Sequence, residues 1–185
     1  MNPVEIIAAV LGLANVVLVA RRSIWNYPFG IAMVSLYAFV FFEAKLYSDA
    51  ILQLFFLVVQ IYGWWNWARS RESAGEVVVR TLGWTARLLW AAGAAIATGL
   101  WGWMMHANTD ASFPWWDASV LMLSIAGQLL MSWRYVETWA FWIVVNLISI
   151  GVYAAKGLQA TALLYVVLLG VAAWGLAAWA KARRA

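Results

Sequence analysis

The sequence predicts an all-α polytopic membrane protein, with seven transmembrane helices in a 3+1+3 order: two parallel three-helix repeats joined by a fourth helix. Three observations carry this. Only 11% of the residues are charged against 66% hydrophobic, and the mean hydropathy is +0.81, whereas water-soluble domains carry about a quarter charged residues. Apolar blocks near the length of a bilayer crossing recur along the whole chain. A shift of 112 residues superposes Ala50 on Ala162, Leu52 on Leu164, Gly63 on Gly175, Trp67 on Trp179 and Arg69 on Lys181.

Taken in order, the spans lie between charges at roughly 4–20, 25–42, 50–67, 88–105, 118–133, 139–155 and 162–180. No basic segment precedes the first, and Arg21-Arg22 follow it, so it reads as a retained helix and not a cleaved signal peptide. The second opens at "WNYPFG", where Pro28 sits at a helix start and its missing N–H costs nothing; Gly30 just after it permits close approach. The third and seventh both end in Trp followed by a basic residue. The long polar connection "ARSRESAGEVVVRTLG" leads into the fourth. The same shift places the fifth helix on the first and the sixth on the second. One membrane domain, 1–185, then divides into a first repeat at 1–67, a linker with the fourth helix at 68–117 and a second repeat at 118–185. Both repeats face the same way, as in SWEET-type sugar carriers, whose site lies at the repeat interface. Several spans are short of the usual ~20 residues, so flanking Trp, Arg and Lys must sit among headgroups.

Of the 12 basic residues, only Lys45 and Lys156 fall on the side of the N-terminus and the even loops. The other side collects Arg21, Arg22, Arg69, Arg71, Arg80, Arg87, Arg134, Lys181, Arg183 and Arg184. This asymmetry places the N-terminus outside and the C-terminus in the cytoplasm. The net charge of +4 is therefore an orientation signal and not a nucleic-acid footprint. With no cysteine and one histidine, His106, thiol chemistry and Cys- or His-cluster metal sites are excluded, and no cofactor is implied.

No charged residue stands at the centre of a span: Glu5, Glu43, Asp49, Asp117 and Glu137 lie near ends, and Glu72, Glu76 and Asp110 in loops. Ion-coupled carriers usually keep a buried carboxylate, so an uncoupled carrier is expected. The polar residues inside the spans are neutral. Gln53 and Gln60 share one face of the third helix with Phe56 between them, and Ser124 and Gln128 share a face of the fifth. On the sixth, Trp139, Trp142 and Asn146 form a stripe that Ser149 and Tyr153 extend. A buried amide needs a partner, on another helix or on a ligand. Either serves for any one of them; their coincidence on both repeats favours a ligand site. Trp142 is placed to stack on a flat, cationic ring. Most other tryptophans, Trp25, Trp67, Trp101, Trp103, Trp115, Trp116, Trp133 and Trp179 among them, stand near span ends and read as interfacial anchors. That leaves Tyr37, Tyr47 and Asp49 unexplained.

The segments "WNYPFGIAMVSLYAFVFFEAKLYSDAILQLFFLVVQIYGWWNW", "ETWAFWIVVN" and "KGLQATALLYVVLLGVAAWGLAAW" together resemble the PnuC family of bacterial vitamin transporters. The likeness covers both repeats, roughly 23–67 and 133–180, and little of the fourth helix. It implies a SWEET-like fold in the bacterial inner membrane and uptake of nicotinamide riboside by facilitated diffusion, sustained by a cytoplasmic vitamin kinase. It also implies a homotrimer. Trp139, Trp142 and Asn146 match the family's substrate-binding segment, and Gln53 and Gln60 match polar third-helix positions. Gln128, Ser149 and Tyr37 complete the expected site. Many sequences of this kind carry Asp where Asn146 stands. Thiamine or riboflavin is the alternative substrate. Outside transport, the competing readings are a membrane-embedded enzyme using Asp49 or Asp117 and a structural subunit. An outer face nearly empty of carboxylates and histidine argues against the enzyme, and the repeat and polar stripe against the subunit.

Overall fold

In the computed structural model, which describes residues 3–43, 47–109 and 113–183, the described residues form seven helices. These are α1 (Pro3–Ala20), α2 (Asn26–Glu43), α3 (Tyr47–Ala74), α4 (Trp84–Asn108), α5 (Pro114–Ser132), α6 (Thr138–Ala155) and α7 (Gln159–Ala182). Each covers its expected span to within one residue. Three segments, Trp84–Asn108, Thr138–Ala155 and Thr161–Ala182, are long and apolar enough to cross a membrane by length and composition alone. The third helix runs well past Trp67, because nothing between Ala68 and Ala74 breaks a helix; it stops at Gly75, whose φ of 75° suits only glycine comfortably. Pro28 falls in the first turn of α2 and Pro114 at the start of α5, positions whose N–H groups have no helical acceptor. Lys45 and Asp110, and the side chains of Glu5, Tyr47 and Asp49, lie outside the described residues.

Two helices end alike. After α1 the Ser23 N–H returns to the Leu18 carbonyl at 2.9 Å, and after α5 the Tyr135 N–H returns to that of Leu130 at 2.9 Å. These are Schellman closures, which need a left-handed residue. Arg22 (φ 56°) and Arg134 (φ 66°) supply it where glycine is usual, at a cost of about 1–2 kcal/mol each. Both side chains then bond to the α3–α4 connection. Arg22 donates to the Val77 carbonyl at 3.2 Å and Arg134 to that of Val78 at 3.1 Å. The Arg80 backbone adds a bridge to the α5–α6 turn, with Arg80 N–H to Arg134 O at 2.8 Å and Val136 N–H to Arg80 O at 2.9 Å. Glu137 accepts from the Leu82 N–H and pairs with Arg87 at 2.8 Å. The connection is thus clasped to both halves of the chain.

Helix α2 packs between α1 and α3, and α6 between α5 and α7; α1 meets α7 and α3 meets α5, closing a six-helix ring. Helix α4 stands outside it against α5. Contacts recur at the 112-residue spacing. Trp67 donates its indole N–H to the Met131 carbonyl at 3.1 Å, and Trp179 donates to that of Val19 at 3.1 Å. Tyr27 meets Trp67 edge-on at 5.3 Å, and Trp139 meets Trp179 edge-on at 5.6 Å. A Cβ on Gly63 would strike the Tyr27 ring and one on Gly175 the Trp139 ring. These four aromatic rings lie in the core with Val77 and Val79 of the connection and Val19, Met131, Val136 and Ala172 around them. Trp67 and Trp179 are fully buried, which corrects their reading as interfacial anchors: their position beside basic residues resembles an anchor's, but each is enclosed by the opposite half of the ring. Trp25, Trp101, Trp103, Trp115 and Trp116 are exposed, as anchors are.

Candidate functional site

Inside the ring, above the aromatic core, is a cavity of about 320 Å³. Helices α1, α2, α3, α5, α6 and α7 all contribute to its wall. Seven of the eight residues expected at the site line it: Trp142, Asn146, Trp139, Gln53, Gln60, Gln128 and Tyr37. Their convergence follows from helix geometry. Gln53 and Gln60 are two turns apart on one face of α3, and Trp139, Trp142 and Asn146 fall on one face of α6. Ser149 is fully buried one turn beyond Asn146 and stands beside the lining.

The wall is apolar with uncharged polar groups set into it: among the described residues, no Asp, Glu, Lys or Arg lines it. Gln60, Gln128 and Asn146 are buried. The indole N–H groups of Trp139 and Trp142 are buried with no hydrogen-bond partner among the described residues. An unpaired buried donor costs about 1–3 kcal/mol. Trp142 keeps its place by resting on Gly127, where a Cβ would stand 3.2 Å from its Nε1. Aromatic faces and amides together fit a flat, polar, neutral or cationic small molecule.

Two lining residues escape a reading of spacing alone. Asn15 is an isolated polar residue on α1; it is buried, lines the cavity and donates to the Asn26 carbonyl at 2.7 Å. Tyr165 lines it from α7. The signal that finds both is the 112-residue shift, which pairs Asn15 with Gly127 and Tyr165 with Gln53. Of the acids considered for an enzyme, Asp117 reaches Lys156 at 3.5 Å outside the cavity, and Asp49 lies outside the described side chains.

The model of the nicotinamide mononucleotide transporter family matches residues 2–181. The chain belongs to this family. It is 31% identical over 191 residues to the nicotinamide riboside transporter PnuC of Escherichia coli (strain K12), covering 89% of this chain and 80% of the relative. It is 30% identical over 166 residues to the riboflavin/roseoflavin transporter RibM of Streptomyces davaonensis, covering 88% of this chain and 78% of the relative. The crystal structure of a vitamin B3 transporter PnuC superposes with a TM-score of 0.79 at 33% identity, over 99% of this chain and 84% of the other. Membership of the nicotinamide mononucleotide transporter family makes this a polytopic membrane transporter, and the enzyme reading falls.

Proposed function

We propose that this chain carries nicotinamide riboside through the bacterial inner membrane by facilitated diffusion, with the cavity as its binding site. The observation that carries the reading is the wall itself: indoles from α6 and amides from α3, α5 and α6 around about 320 Å³, with no charge among the described residues. A pyridinium ring stacks on an indole face without a counter-carboxylate, and ribose hydroxyls and a carboxamide take up the amides. In this reading Trp142 holds the ring, Asn146 bonds its polar edge, and Gln53 or Gln60 closes the site from the other unit. The ring of helices suits two parallel three-helix units, 1–67 and 118–185, with α4 in the 68–117 linker. The N-terminus lies outside and the C-terminus in the cytoplasm, where phosphorylation by a vitamin kinase keeps the gradient inward. The working assembly is a homotrimer.

Titrating the purified protein with nicotinamide riboside, riboflavin and thiamine tests the reading. Tightest binding of nicotinamide riboside is expected. The likeness to RibM favours riboflavin as the second reading, and preference for riboflavin or thiamine would replace the first.

A further inference from the structure

The two halves of the cavity wall are built on one plan and differ in the side chains that fill it. Position 15 on α1 corresponds to 127 on α5, 26 to 138, 30 to 142 and 60 to 172, all at the same shift of 112 residues. Each pair of neighbouring helices is latched at the same point. In the first half the Asn15 side chain donates to the Asn26 carbonyl at 2.7 Å; in the second, Thr138 Oγ1 donates to the Gly127 carbonyl at 2.7 Å. The latch is conserved in place and reversed in direction. In the second half the donor has moved to α6, so position 127 needs no side chain, and the indole of Trp142 fills the room over Gly127. In the first half the residue matching Trp142 is Gly30. There a Cβ would stand 2.7 Å from Asn15 Nδ2 and 2.9 Å from Gln60 Cδ. Two amides therefore occupy the space that an indole takes in the other half.

The orientation of Asn15 is forced. The Asn26 carbonyl can only accept, so it holds the NH₂ end of the Asn15 amide, and Oδ1 is left as the end available to a ligand. Oδ1 accepts no hydrogen bond among the described residues, and Gln60 beside it makes none. Both residues line the cavity. We propose that Asn15, locked on Asn26 and seated with Gln60 over Gly30, is a specificity-determining residue that selects a primary carboxamide over a carboxylate on the substrate's aromatic ring. Oδ1 accepts the carboxamide N–H while Gln60 donates to its oxygen. A carboxylate offers no donor, and its charge then faces an acceptor in a cavity that no cation lines among the described residues. This rests on the nicotinamide riboside reading and adds the group by which that substrate is told from its acid analogue.

The test is calorimetric titration of purified protein with nicotinamide riboside and with nicotinic acid riboside, read as the ratio of the two dissociation constants. A ratio taken on one preparation is unaffected by a misfolded fraction. The wild type should favour the amide by about tenfold or more. The double variant N15G/N26T transplants the second half's residues, keeping a donor for the α1–α2 latch while removing the amide from the wall; its ratio should fall toward one. Asn15→Leu, which keeps the volume, should do the same. Trp142→Ala should weaken both ribosides and keep the ratio; collapse of the ratio there would assign the selectivity to the indole and overturn the proposal. A wild type that binds both ribosides equally, or Asn15 variants that keep the preference, overturn it while leaving the substrate reading intact. A wild type that binds neither riboside removes both.

Discussion

The indole of Trp142 stands on the cavity wall with its N–H unpaired, while that of Trp179 is fully enclosed and bonded to the Val19 carbonyl. The two should fail differently. Trp142→Ala removes apolar area and a cation-attracting face, about 1–3 kcal/mol together, so substrate binding should weaken tenfold or more in a titration. Asn146→Leu keeps size but leaves a substrate polar group unpaired, for a loss of the same order. Wild-type affinity in both variants would reduce the stripe to packing. Trp179→Ala instead opens a hole against Trp67 and Trp139 and removes one of the two donors to the Val19 carbonyl, which keeps the Arg22 N–H. On the order of 3–5 kcal/mol of stability should go, seen as a lower thermal transition in detergent. The α6 residues are legible in sequence because their spacing defines a face before any partner is known. Trp179 is not, since a terminal tryptophan beside a lysine looks the same whether lipid or the opposite half of the ring covers it. Asn15 is hidden for a related reason: one polar residue has no period, and its meaning depends on Asn26, Gly30 and Gln60 around it.

At the scale of elements, helix positions were readable because charges and turn residues bracket each apolar run. The far end of α3 was not, because Arg69, Arg71 and Glu72 end a hydrophobic run without ending a helix. Nor were the closures at Arg22 and Arg134, where arginine takes a place that glycine advertises. The contacts between elements can be probed at two glycines. A Cβ on Gly175 would lie 2.5 Å from the Trp139 ring, and one on Gly63 would lie 2.7 Å from the Tyr27 hydroxyl. Both rings belong to fully or nearly fully buried side chains packed edge-on against Trp179 and Trp67, so neither can swing aside. Gly175→Ala and Gly63→Ala should each cost about 1–3 kcal/mol by overpacking, again read as thermal stability. Gly170→Ala on the same helix meets nothing within 4 Å and should be silent. Equal stability of Gly175→Ala and Gly170→Ala would mean that α6 and α7 are not held together as described.

For the molecule as a whole, the decisive feature is where charge is and is not. Most of the basic residues gather at the end where the α3–α4 connection is clasped, through Arg22, Arg134 and Arg87, and among the described residues none lines the cavity wall. A proton- or sodium-driven carrier needs a group whose charge changes or is neutralised during the cycle, and intramembrane charge is kept only where it serves such a purpose. With amides, indoles and hydroxyls as the polar groups of the described wall, the proposed carrier has no ionic partner there to couple to, and the substrate gradient is the expected driving force. Purified protein in liposomes should therefore equilibrate nicotinamide riboside at the same rate with or without an imposed pH or sodium gradient, and never exceed the outside concentration. Enclosing a riboside kinase with ATP should raise total internal label above the external level, as phosphorylated product, and leaving out the kinase should abolish the rise. Uphill accumulation of unmodified riboside driven by either ion gradient would show that a coupling site exists elsewhere in the chain, and the uncoupled mechanism would have to be given up.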